Sequence, residues 1–175
     1  MAIVNDDGRR AVGRRLLRDT PVRLYYRLAV LDQALIALRQ AGYHIAHADA
    51  SRWLSVGDMH RELARVLHFP GYYGENLDAL NDCLRDVTCR EYGFPADATG
   101  LVLVLTGFAE FAKTYPAQAH GLLDVFACQS REAMLAGEHL ICLVQADDPA
   151  LVLPPVGATP VMWNDAEWLN ASRGL

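Results

Sequence analysis

Residues 72–84 read YYGENLDALNDCL. Pro70 and Gly71 stand just before it and break whatever helix precedes. Gly74 supplies the freedom for a positive φ in a sharp approach turn. Asn76 is of the residue type that caps a helix, and Leu77 to Asp86 then follow as a short helix. Leu77, Leu80 and Leu84, with Cys83 beside them, recur at helical spacing and give one apolar face. The opposite face carries Asp78, Asp82 and Asp86 at i+4 steps, with Glu75 just upstream.

That acidic stripe needs a cause, because like charges at i,i+4 cost a helix about 0.2–0.5 kcal/mol per pair. Acids near a helix N-terminus complement its dipole, which accounts for Glu75 and Asp78. It does not account for Asp82, a turn further on, or for Asp86. Arg85 offsets part of the repulsion. Two tyrosines, a turn and carboxylates on a rigid helix form a surface suited to gripping a cationic partner; the alternative is a merely solvated face.

The same thirteen residues resemble the barstar family, small bacterial inhibitors of the ribonuclease barnase. Twelve of the thirteen positions match, and the departure is Asn81, where the family has a tryptophan. The resemblance implies an α/β fold: a three-stranded parallel sheet packed with helices. It also implies that Tyr72, Asn76, Asp78, Asn81 and Asp82 lie on the inhibitory face, with Asp82 entering the phosphate-binding pocket of the nuclease. Further along, SREAMLAGEHLICLV at 130–144 resembles the last helix and strand of the family, and Glu132 takes the place of a second acidic contact. An ordinary exposed helical Glu is the plain reading of that residue.

The rest of the chain sets bounds. Its 175 residues suffice for one domain with a real core, and 52% apolar against 21% charged residues is a globular balance. No apolar run approaches the roughly 18 residues of a membrane span. The opening MAIVNDDGRR has no apolar signal-peptide segment, so a cytoplasmic location is expected. Cys83, Cys89, Cys128 and Cys142 form no CxxC pair and read as reduced thiols, not as disulfides or a metal site. Residues 1–42 hold eight arginines against Asp6, Asp7, Asp19 and Asp32, a net +4; the remainder holds eight basic and seventeen acidic side chains, a net −9. Such a body disfavours direct nucleic-acid binding and favours a basic protein partner.

Three segments follow: an N-terminal extension over 1–42, a barstar-like domain over 43–146, and a C-terminal extension over 147–175. Residues 1–20 read as a mobile, arginine-rich arm. The alternation of Val22, Leu24, Tyr26 and Leu28 predicts a strand, and Leu31, Ala34, Leu35 and Leu38 a helix stopped by Gly42. A short strand is expected from Tyr43 to His47, then a helix from Ser55 with Met59, Leu63, Val66 and Leu67 inward. His60, on that helix, reads as a packing or surface residue. Residues 85–100 form a longer loop than the family's, on the rim of the implied inhibitory face. LVLVL at 101–105 predicts a strand covered on both faces. A short helix after Gly107, a long one from Ala117 to Gly137 and a strand over Leu140–Val144 complete the parallel order. Asn164 to Glu167 reads as a capping box for a last helix, with Trp163 and Trp168 packed on the core.

The function expected is inhibition of a ribonuclease with a basic active site, extracellular or toxin in type, by carboxylates that imitate phosphate. An immunity-type module for a different basic partner is the alternative. Catalysis is not expected: no phosphate loop or nucleophile elbow is present, and no histidine has a predictable place beside Cys83. No cofactor, metal, direct nucleic-acid contact or membrane is called for.

Overall fold

The computed structural model describes residues 6–175. One parallel sheet organises them, built from β1 (Val22–Tyr25), β2 (His44–Asp49), β3 (Leu101–Thr106), β4 (Leu140–Gln145) and β5 (Met162–Trp163). Their order across the sheet is β2-β3-β4-β1-β5. The expected three-stranded sheet is thus corrected to five strands. The two added strands come from the segments flanking residues 43–146, and β1 sits between β4 and β5. All four residues of β1 are buried, but the strand stops at Tyr25, so Tyr26 and Leu28 of the expected alternation lie beyond it, with Leu28 exposed at the start of the following helix.

Alternation along the strands divides the core in two. Leu101, Leu103, Leu105, Cys142 and Val144 face α3 (Val56–Val66), α4 (Leu77–Thr88), α5 (Phe108–Thr114) and α6 (Pro116–Leu135). Val102, Val104, Ile141 and Leu143 face α1 (Asp6–Leu17) and α2 (Leu28–Gln40). β3 is internal, and its five apolar residues are all buried, as a continuous apolar run requires. Helix α2 presents Leu31, Leu35 and Leu38 inward and stops where Gly42 takes φ 82°, with the Tyr43 N–H closing on the Leu38 carbonyl at 3.0 Å.

The mobile arm is a second correction. Of residues 1–20, the first five lie outside the described part, and Asp6–Leu17 is helical. Leu17 is buried against α2 and the sheet, with Val12 and Leu16 packed beside it. Gly13 permits that approach: a Cβ there collides with the hydroxyl of Tyr43 and meets the His139 ring. Tyr43 and His139 are themselves hydrogen-bonded and stacked under the helix.

The third correction is at the C-terminus. No α-helix follows Asn164; only a 3-10 turn at Asn170–Arg173 is present. Glu167 is fully buried, and its carboxylate accepts from the Tyr26 N–H at 2.8 Å, the Arg27 N–H at 3.0 Å and the Arg27 Nε at 3.0 Å. The Asn164 Nδ2 adds a donor at 2.6 Å. Glu167 therefore caps the start of α2 instead of a helix of its own. Trp163 packs on the core, but Trp168, next to the inward-facing Glu167, is directed outward and stays half exposed.

Candidate functional site

The site is assembled by the junction of α3, a loop and α4. Helix α3 is capped by Ser55, whose Oγ accepts from the Asp58 N–H at 3.2 Å, and it buries Met59, His60 and Leu63. Two left-handed residues then steer the chain, His68 at φ 55° and Glu75 at φ 48°. The positive φ expected at Gly74 thus falls one residue later, on Glu75. Asn76 follows with extended backbone, and its Oδ1 accepts from the Ala79 N–H at 2.8 Å while its Nδ2 donates to the Gly74 carbonyl at 3.1 Å. Asn76 is exposed, but both ends of its amide fix the approach turn and the helix start.

The paired tyrosines divide. Tyr73 turns inward, and its hydroxyl meets His60 Nδ1 at 2.5 Å with Phe69 packed at 4.9 Å between ring centroids. Burial holds the Tyr73 hydroxyl well above its ordinary titration range. It also holds His60 below the ordinary histidine value, against the opposing pull of Glu75. Tyr72 turns outward and is 77% exposed. Its surroundings give no internal reason for a large ring at that place.

Helix α4 buries Leu80, Cys83, Leu84 and Val87. Asp78 and Asp82 project to solvent, one turn apart. Asp82 has one neighbour of opposite charge, Arg85, at 3.3 Å, both side chains more than half exposed. Asp86 does not extend the open stripe as expected. It is half buried and accepts from the Tyr92 hydroxyl at 3.3 Å. Glu75 lies 3.8 Å from Arg61, which pairs more closely with Asp58 at 2.6 Å.

Asn81 is half buried, and its Oδ1 accepts from Gln129 Nε2 of α6 at 2.9 Å. The two helices pack closely enough that a Cβ on Gly121 of α6 comes within 2.5 Å of Leu77 Cδ1. Glu132, one turn beyond Gln129, is exposed on α6. Asn81 is therefore partly a tie between helices, which its spacing in the sequence does not disclose.

Arg90 is a further organising residue that the sequence reading missed. It adopts φ 63°, bonds the carbonyls of Ala96 and Ala98 at 3.0 and 3.1 Å, pairs with Glu138 at 2.7 Å, and lies over the Phe94 ring at 4.8 Å. The long loop after α4 is thereby fastened to the turn before β4. A lone arginine in a loop carries no local signal of this kind.

Among the described residues no group of three or more His, Cys, Asp or Glu is placed to hold a metal ion. All four cysteines are free, and Cys83 and Cys142 are buried. No described helix is long and apolar enough to cross a membrane. Comparison with known families gives a match to the Barstar (barnase inhibitor) model over residues 43–145, from just before β2 to the end of β4. The matched segment covers more than half of the chain and contains the whole acidic helix, and the protein therefore belongs to the Barstar (barnase inhibitor) family.

Proposed function

We propose that this protein inhibits a ribonuclease with a basic active site by laying α4 across it, with Asp78 and Asp82 standing in for substrate phosphates. The observation that carries this reading is the pair of outward carboxylates on a helix rigid at both levels: capped by Asn76 and seated on Leu80, Cys83, Leu84 and Val87. A ribonuclease site must offer arginine, lysine or histidine to bind and stabilise phosphate. Carboxylates already held in place meet those cations without losing much freedom. Only the exposed contact with Arg85 must be given up, and exposed pairs are worth about 0–1 kcal/mol. The net −9 of residues 43–175 speeds encounter with a basic enzyme and repels its RNA substrate.

In this reading Tyr72 and Glu132 flank the acids, residues 43–146 carry the function, and the protein acts in the cytoplasm on an extracellular-type or toxin nuclease. It is not itself a catalyst, in keeping with an inhibitor family. Asn81 favours a cognate surface that differs from barnase: a carboxamide tied to Gln129 cannot fill a cleft shaped for an indole. The test is a titration of RNA cleavage against barnase and a panel of basic ribonucleases. Saturable inhibition of at least one enzyme at a 1:1 ratio, weakened by salt, supports the proposal. Failure to inhibit any basic ribonuclease, or direct retention of RNA by the protein, rejects it.

A further inference from the structure

The segments on either side of residues 43–145 meet around an open cavity that the matched residues do not line. It has a volume of about 480 Å³ and opens between α1, β1, α2 and the turn after β5. Its apolar lining runs from Val12 and Leu16 on α1 to Val30, Ala34 and Ala37 on α2, with Gln33 and Asn164 beside it. That combination of size and lining is typical of sites for small organic ligands.

Its polar groups converge on one end. Arg23 is a buried arginine on β1, its side chain only 7% exposed. Its Nη1 donates to Asp165 Oδ1 at 3.0 Å, its Nη2 lies 3.4 Å from the Leu16 carbonyl and 3.8 Å from Asp19, and its Nε is buried without an acceptor. A buried cation needs counter-charge, yet Asp165 is 74% exposed and is shared with Arg15 at 3.7 Å. Asp19 is shared with Arg18. Tyr25 adds a hydroxyl to the lining, kept protonated by burial and the nearby acids in spite of Arg23. The charged side chains lining the cavity are thus two guanidiniums against one exposed carboxylate.

We propose that this cavity binds a small organic anion, an apolar body of roughly ten carbons ending in a carboxylate. The carboxylate sits between Arg15 and Arg23, where Asp165 now serves as a replaceable counter-ion, and the apolar body lies along α1 and α2. Both extensions are needed to form the site, which gives them a common role separate from the acidic helix on the other face of the sheet.

The test uses the full-length protein, labelled with ¹⁵N and titrated with decanoate, decanol and acetate. Decanoate is expected to saturate one site and shift the amides of Val12, Leu16, Ala34 and Ala37. Decanol lacks the charge and is expected to bind at least about tenfold more weakly, the loss of one charge-assisted contact. Acetate lacks the apolar body and is expected to show no saturable binding. Ala37→Trp, at the exposed mouth, fills the cavity and abolishes decanoate binding with the fold intact; Arg15→Gln weakens it several-fold. Absence of saturation by millimolar decanoate, equal binding of decanol, or unchanged binding to Ala37→Trp overturns the proposal.

Discussion

Replacing Asp82 with alanine separates an interface acid from a structural one. In the free protein the substitution removes the exposed contact with Arg85, worth about 0.3–0.5 kcal/mol at this spacing. It also relieves repulsion from Asp78 and Asp86, about 0.2–0.5 kcal/mol for each pair. Alanine further gains about 0.5 kcal/mol over aspartate in intrinsic helix propensity. The sum is about 0.4–1.2 kcal/mol of stabilisation, or at most a few degrees in Tm for a chain of this size. In the complex the same carboxylate is desolvated against arginine or lysine, and its removal strands those cations. The expected cost is about 2–5 kcal/mol, the range for which the barnase complex is itself the reference case. It corresponds to a loss of affinity from about thirtyfold to a few thousandfold. Thermal melts and inhibition titrations against the most strongly inhibited ribonuclease measure both halves. A variant that unfolds, or one that inhibits as well as the parent, refutes the assignment of α4 as the inhibitory face.

Four other outcomes are expected. Glu167→Ala leaves the Tyr26 and Arg27 N–H groups and Asn164 without their acceptor and should cost about 3–5 kcal/mol in chemical denaturation, with increased proteolysis beyond residue 146. Burial alone raises the Glu167 pKa, but its four donors outweigh burial and hold it below the ordinary 4.5. Its contribution is therefore present above pH 4.5 and is lost as pH falls through the lower folded value, an acid-side slope that Glu167→Gln should flatten. Gly13→Val drives a side chain into Tyr43 and His139 and should release α1 at a cost of about 1–3 kcal/mol, seen as new cleavage in residues 6–20 with inhibition retained. His60 is held below 6.5 by burial, and His139 by burial together with Arg10 and Arg14, so the unfolded chain takes up protons first. Stability should then fall as pH descends through 6.5, and melts that are flat from pH 7.5 to 5 contradict this.

The sequence by itself determined whatever depends on neighbours within a turn or two. Asn76 and Leu77 to Leu84 specify a capped amphipathic helix with outward acids, and the structure has that helix. LVLVL gives a doubly covered strand because no residue in it tolerates water. The inward and outward assignment of Asp86 was not legible, because it depends on Tyr92 in the loop beyond the helix. Nor was the tie of Asn81 to Gln129, which spans 48 positions. Tertiary structure alone decided the sheet. β1 and β5 are short and lack a local signature of pairing, and β1 becomes an internal strand only when β4 and β5 flank it. Glu167 looked like a local cap for the same reason: its residue type announces an acceptor for N–H groups, but not which ones. Those it found lie 141 and 140 positions earlier, at the start of α2. Periodicity records which side of an element avoids water, whereas its partner is fixed by long-range packing, and the cavity between the two extensions exists only after both have docked.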